Sequence, residues 1–551
     1  MKKLSILLLT LLMVTTACEN FLDINDDPNN PTKPQINQLL PGILYDIADD
    51  FNYYPEKPGY ICATYMHQLV SRESDIDQYN FNGFNWGIQN FWQDLYNGPL
   101  MDLRVLIEQG EASENMAYAG IAKILKAYTY SLMVDLWGDV PYTEATIPGT
   151  IHPVFDDDQA IYEDLFRLLD EGIADIQNGE AGNTVMPGDD DLIYNGDLDK
   201  WVRTAKTIKL KLYNQVRMTG LYNQSAVDAL LAGDLMEEDG NFMLPYGTSS
   251  APDTRNPVFV AEYGGAQLSN YISPWFYEIM MGKNPTIFNG IKDPRTVYYW
   301  TNQVPDGGAT ENPPEYRDGS FVSIYFGSEG INSDHAGRGT FTMMGIYPCG
   351  GKFDDSTYIG GNGGTPLRAS AGTGAAPQRM LTYADLMFIE AELIRTGLAS
   401  GDARTKLEEA IKASFALVDL IVEFTAPPQD VPAISGSEDE EKYVNAVLNE
   451  FDASGDAKKL EIIMTQKWIS SFGWAQDQYT DYRRTGYPVL FDPNSNGGSQ
   501  DGGPDGSGPV PTQVTRGYPL SFPYDDTEVT LNNNAPEQKN VTQSKVFWDI
   551  D

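Results

Sequence analysis

Apolar positions recur at steps of three and four along much of this chain. Tyr118, Ile121, Leu125, Tyr128, Leu132 and Leu136 form one such stripe, a spacing that puts all six on one face of a helix. Gly138 and Pro141 follow and close it, one tolerating a left-handed turn and the other unable to continue the helix. Ile161, Leu165, Leu169, Ile173 and Ile176 repeat the pattern behind Asp156 to Asp158, where negative charge suits a helix N-terminus. The same period predicts helices over 198–218, 383–396, 402–418, 438–450 and 456–472. Gly397 is placed to stop the second of these. Helices therefore arrive in pairs without a strict sequence repeat, which predicts a mainly α protein built as an irregular array of helical hairpins.

The intervals differ in kind. Residues 240–375 and 492–545 are rich in Gly, Pro, Asn and aromatics and carry few helical patterns. Long loops on a rigid scaffold are where binding surfaces are displayed. Short strands are expected there, for example around Phe321 to Phe326.

The N-terminus changes the picture more than any later stretch. Lys2 and Lys3 precede an apolar run from Leu4 to Val14, too short to span a hydrocarbon core that needs roughly 20 apolar residues. With the small residues Thr15, Thr16 and Ala17 it has the form of a secretory signal over 1–17. Cys18 stands directly after the cleavage point, where a lipoprotein signal needs the thiol that receives the lipid. An ordinary signal with an incidental cysteine is the alternative. Residues 18–40 begin with acids, asparagines and prolines and read as an extended tether, leaving a single body over 41–551.

A formal charge of −41 on 551 residues argues against nucleic acid, whose phosphates would repel it. It argues equally against electrostatic docking on anionic lipid, so membrane attachment falls to the acyl anchor alone. The body keeps two cysteines, Cys62 and Cys349, too few for a disulfide framework. They either pair or stay as buried thiols.

Catalytic signatures are sparse. His67, His152 and His335 lie far apart with no HExxH spacing, and no GxSxG elbow occurs. The 78 acids generate carboxylate pairs by chance, so a surface-tethered hydrolase stays as an alternative while a binding protein is the expectation. Asp492, Asn494 and Asn496, followed by Gly497, place oxygen ligands as in the first half of a calcium loop. The twelfth position is Gly503, where such a loop would supply a glutamate, so calcium here competes with a plain polar turn. No other cofactor is called for.

Aromatics are more telling. Sugar rings offer apolar C–H faces that stack on aromatic rings, while Asn and Arg bond the hydroxyls. Tyr79, Phe81, Phe84 and Trp86 interleave with Asn80, Asn82, Asn85 and Asn90, and Tyr271, Trp275, Tyr298, Tyr299 and Trp300 lie in the loop-rich middle. Aromatics in such places also serve to fill a core between loops. Trp92, Trp137, Trp201 and Trp468 sit in helical patterns and read as structural.

Several motifs, taken in order, resemble the SusD/RagB family of nutrient-binding outer-membrane lipoproteins. They are Leu136-Trp137-Gly138-Asp139-Val140-Pro141-Tyr142, the segment Pro153 to Leu169, Asp199-Lys200-Trp201, Leu381-Thr382-Tyr383-Ala384-Asp385-Leu386 running to Glu390-Ala391-Glu392, and Arg483-Arg484-Thr485-Gly486-Tyr487-Pro488. The Asn532–Asn534 run fits as well, although Arg516-Gly517-Tyr518-Pro519 departs from the expected Tyr-Pro-x-x-Glu before it. The resemblance implies an irregular tetratricopeptide-like scaffold of helix pairs with few short strands and a loop-rich ligand-binding face. It implies a surface-exposed outer-membrane protein that lies as a lid over a SusC-like TonB-dependent transporter and delivers oligosaccharides or, in some branches, peptides. By position it implies Arg72, Trp86 and Asn90 on one side of a ligand platform and Trp275, Tyr298 and Trp300 on the other, and Tyr79 joins the candidates from its own aromatic and asparagine-rich stretch.

Overall fold

The computed structural model describes residues 34–55, 57–71, 79, 86–264, 270–332, 339–358, 367–492, 499–500, 510–511 and 517–550. The longer helices run in chain order as α1 (Ile36–Asp50), α2 (Pro58–Tyr65), α3 (Trp86–Asn97), α4 (Pro99–Ala112), α5 (Met116–Trp137), α6 (Asp158–Ile176), α7 (Leu198–Gln215) and α8 (Gln224–Leu231). They continue as α9 (Pro274–Met280), α10 (Tyr383–Arg395), α11 (Ala403–Thr425), α12 (Glu438–Ala453), α13 (Asp456–Ser470) and α14 (Gln476–Thr485). The periodic stretches of the sequence fall on α5, α6, α7, α10, α11, α12 and α13. Helix α1 starts at Ile36, inside the stretch read as tether, because Ile36, Leu39, Leu40, Ile43, Leu44 and Ile47 form an apolar face that is buried.

Neighbouring helices pack as hairpins: α4 on α5, α5 on α6, α10 on α11 and α11 on α12. The α5–α6 crossing is close for a reason visible in the residues. A Cβ on Gly120 would stand 2.6 Å from the Gly172 carbonyl, and one on Gly172 would stand 2.8 Å from the Gly120 carbonyl, so only glycine lets the two backbones meet. Helix α5 ends where Gly138 turns to φ 74° and ψ −122°, backbone that glycine reaches and side-chain-bearing residues rarely do. Helix α6 begins with the Asp157 carboxylate accepting from Ala160 N at 3.0 Å, and α10 begins with a reciprocal Thr382–Asp385 capping box.

The helix pairs are locked together by buried charge. Glu392 of α10 accepts from Arg484 of α14 at 2.5 and 3.0 Å, from Asn214 of α7 at 2.7 Å, and from Arg217. Arg484 also donates to Asp481 at 2.7 Å, and Lys467 of α13 donates to the other Asp481 oxygen at 2.7 Å. Burial pushes the Asp481 carboxyl up, against the pull of Lys467. The tryptophans read as structural are so: Trp92, Trp137, Trp201 and Trp468 are all buried, and Trp137 and Trp201 donate to Pro523 O and Asp191 Oδ2 at 2.8 Å. Cys62 and Cys349 are free and buried, and burial raises both thiols.

The rest is two-stranded ribbons: β1 (Leu69–Ser71) with β5 (Asn270–Ile272), β2 (Val140–Pro141) with β3 (Phe155–Asp156), β4 (Phe242–Leu244) with β10 (Gln378–Leu381), β6 (Trp300–Thr301) with β9 (Met343–Met344), and β7 (Tyr316–Asp318) with β8 (Phe321–Ser323). These five pairs are antiparallel, as is a sixth between Ser499–Gln500 and Val510–Pro511. Strand β8 covers the first half of the stretch expected around Phe321 to Phe326.

Candidate functional site

The β1–β5 ribbon builds the most suggestive place in the molecule. Its register sets Leu69 against Ile272 and Ser71 against Asn270, and Ser273 N donates to Gln68 O at 3.1 Å. His67, just before β1, is thereby brought beside Trp275 in the first turn of α9. Ser323 Oγ donates to Ile272 O at 2.6 Å, which draws Tyr325 and Phe326 to the same spot. Phe491 arrives from beyond α14 and its ring lies 5.9 Å from that of Trp275. Together His67, Trp275, Glu278, Tyr325, Phe326 and Phe491 line a cavity of about 100 Å³.

His67 is held in an unusual way. It follows α2 with φ 52°, the left-handed position that glycine or asparagine usually takes after a helix, while Gln68 N reaches back to Ala63 O at 2.9 Å. Gln68 is pinned in turn, accepting from Tyr53 Oη at 2.6 Å and donating to Trp468 O at 2.7 Å. The His67 ring lies 4.3 Å from Phe326. Its Nε2 is 2.8 Å from Tyr79 Oη, whereas Nδ1 is buried without a hydrogen-bond partner. Burial lowers the imidazole to about 3, so it is neutral at physiological pH. Glu278, half-buried, accepts from Tyr316 Oη at 3.0 Å, and burial raises its carboxyl.

Trp275 is half-buried and donates to Val489 O at 3.3 Å, so part of its ring is open to a ligand. Among the described residues lining the cavity, Glu278 is the single carboxylate, whereas glycoside hydrolysis uses two. The arrangement can stack an apolar face and satisfy two hydrogen bonds.

Other platform residues expected from the sequence fall elsewhere. Tyr298 and Trp300 are 2% and 3% exposed and belong to the core. Tyr298 Oη donates to Pro432 O at 2.6 Å, and the Trp300 ring packs on Tyr277, Phe276 and Phe321. Neither is available as an open stacking surface. Tyr271 is buried as well. Tyr79 is buried behind the cavity, touching it through His67 and Phe326. Asn90 is exposed on α3. Arg72 and the side chain of Trp86 lie outside the described residues, as do Asn494 and Asn496 of the calcium reading, of which only Asp492 is described.

Three carboxylates do converge among the described residues, Asp139, Asp157 and Asp158. Each is already engaged: Asp139 accepts from Asp158 N at 3.0 Å and Asp157 from Ala160 N at 3.0 Å at the start of α6, and Asp158 accepts from Phe547 N at 2.9 Å, docking the C-terminal segment. A larger cleft of about 580 Å³ lies between α7 and α11, with several of its polar groups committed: Lys200 pairs with Asp239, Asn241 accepts from Tyr383 N, and Tyr194 donates to Gly240 O. His67 was the residue that spacing could not reveal. The cavity is drawn from segments near 67, 275, 326 and 491, and only their pairing in space joins them.

No helix among the described residues is long and apolar enough to cross a membrane. Comparison with known proteins agrees with the fold. Residues 28–505 match a SusD-like family described as starch-binding and associating with the outer membrane. No curated protein matches the chain. Among solved structures, a chitin-binding protein is similar with 20% identity and a TM-score of 0.67, over 94% of this chain and 100% of that one. A SusD homologue from Bacteroides fragilis is similar with 17% identity and a TM-score of 0.66, over 94% and 99%. A chitin-binding SusD homologue from Flavobacterium johnsoniae is similar with 18% identity and a TM-score of 0.61, over 93% and 99%. With that match covering most of its length, and with the helix-pair scaffold those structures share, the chain belongs to the SusD-like family.

Proposed function

We propose that this protein is a lipid-anchored surface protein that captures oligosaccharide and passes it to a SusC-like TonB-dependent transporter. The observation that carries the reading is the aromatic cavity with the half-open Trp275 at its mouth, set beside a SusD-like scaffold. The printed descriptions of the family, starch-binding, and of two similar structures, chitin-binding, support a glycan as ligand. The signal-like N-terminus and Cys18 support the anchor, and a charge of −41 leaves acyl chains as the means of attachment. Capture needs no chemistry and little affinity: about 4 kcal/mol corresponds to a millimolar dissociation constant, and tethering beside the transporter raises the effective concentration.

A screen of the mature protein against glycans and peptides tests this. Binding to at least one glycan class with no turnover, read as no new reducing ends, is the expected result. Binding only to peptides, or sustained release of reducing ends, contradicts it. Cys18→Ala is expected to keep ligand binding while losing surface attachment and uptake, and normal attachment of that variant contradicts the anchor.

A further inference from the structure

The cavity behind Trp275 is too small for a sugar ring to be enclosed. Its volume of about 100 Å³ falls well below the roughly 300–1,000 Å³ of sites that enclose a whole small ligand. A ring stacked on the half-open face of Trp275 would therefore send one substituent inward. The walls state what that substituent must be. Four rings, Trp275, Tyr325, Phe326 and Phe491, ask for an apolar surface. The described lining residues include no lysine or arginine, and His67 stays neutral, so an anionic group finds no counter-charge and meets Glu278.

Two polar groups then remain to be matched. Glu278, when ionised, can only accept. The Nδ1 of His67 is buried and lacks a partner, and a buried polar atom is costly to leave unpaired. The ring's other nitrogen is 2.8 Å from Tyr79 Oη. If that hydroxyl donates to Nε2, Nδ1 carries the proton and becomes a donor. His67 and Glu278 both line the cavity, so with Nδ1 protonated the lining carries one donor and one acceptor beside an apolar wall.

We propose that it is the subsite for the acetamido arm of an N-acetylated hexose in the captured oligosaccharide, a proposal that rests on the glycan reading above. The amide C=O accepts from His67 Nδ1–H, the amide N–H donates to Glu278, and the methyl group lies among the rings. A hydroxyl in place of the arm leaves Nδ1 unpaired and the aromatic wall uncovered. An ammonium in its place satisfies Glu278 and not His67.

Calorimetric titration of the mature protein with three hexamers on one β-linked backbone tests this: the chitin hexamer, the cellulose hexamer and the fully deacetylated chitosan hexamer. The chitin hexamer is expected to bind about tenfold or more tighter than either of the others. His67→Asn, which tolerates the left-handed backbone, and Glu278→Gln, which keeps an acceptor for Tyr316, should each bring the chitin hexamer down to the level of the cellulose hexamer. Thermal melts of both variants confirm their fold. Equal affinity of the chitin and cellulose hexamers overturns the acetamido assignment, and so does tightest binding of the chitosan hexamer. Binding of other glycans but none of the three overturns this assignment alone, whereas silence across a whole glycan panel overturns the glycan reading beneath it. The wild-type comparison decides even where a variant does not fold.

Discussion

Glu392 and His67 are both fully buried, yet their surroundings treat them in opposite ways. Glu392 sits where α7, α10 and α14 meet, and its two oxygens accept from Arg484, Asn214 and Arg217. His67 sits where loops and a short ribbon meet, and one of its ring nitrogens has no partner. Burial alone is therefore a poor guide to role. A buried charge whose hydrogen bonds are complete holds helices in register. A buried polar atom left one bond short beside an open aromatic cavity is placed to meet something that arrives later. The signature residues Glu392, Arg483 and Arg484 belong to the first kind, since Arg483 likewise spends itself on backbone carbonyls, donating to Leu520 O at 2.8 Å and Asp135 O at 2.5 Å.

The contrast can be broken most forcefully at Glu392. Replacing it with alanine leaves Arg484 and Arg217 buried without their counter-charge, and a loss of about 3–5 kcal/mol is expected in denaturant unfolding. The ligand affinity of whatever folded protein remains should be unchanged. A loss below 1 kcal/mol, as for an exposed pair, would show that Glu392 does not hold the helices together.

A smaller effect follows from His67. Its folded value of about 3 lies below the ordinary 6.5, so the unfolded chain takes up a proton as pH falls through 6.5 while the folded protein does not. The stability this contributes is complete above pH 6.5 and is lost progressively toward pH 3. Compared with His67→Asn, the wild type should lose about 2 kcal/mol between pH 7 and pH 5. Parallel urea titrations of the two proteins read this directly, and identical pH dependence would show that the imidazole is not buried in neutral form.

The smallest expected effect separates the core aromatics from the cavity ones. Tyr298→Phe removes one hydrogen bond to Pro432 O and should cost about 1 kcal/mol, with glycan binding untouched. Weakened binding in that variant would return Tyr298 to the platform.

Much of the scaffold was legible in the sequence because a helix leaves a period in it. The stripe from Tyr118 to Leu136 became α5, and Gly138 ends it as expected. Even the pairing of helices could be read, although Glu392 meeting Arg484 could not, since nothing local ties two motifs so far apart. The loop-rich half behaves differently. Trp275 and Trp300 sit in similar stretches of Pro, Asn and aromatic residues, yet Trp275 is half-buried at a cavity mouth and Trp300 lies under Tyr277 and Phe321. Composition fixes how many rings a region holds, while strand register fixes which of them face out. His67 was unreadable for the same reason. A lone histidine carries no spacing signal, and the rings around it come from segments near 275, 326 and 491 that only the folded chain brings together.

In the proposed function, Trp275 is the surface against which a captured glycan rests. Affinity electrophoresis through native gels containing a panel of soluble polysaccharides compares the wild type with Trp275→Ala. The wild type should be retarded by at least one polysaccharide, and Trp275→Ala should run in that gel at its polysaccharide-free mobility with an unchanged thermal melt. Retardation of Trp275→Ala equal to that of the wild type would contradict the account.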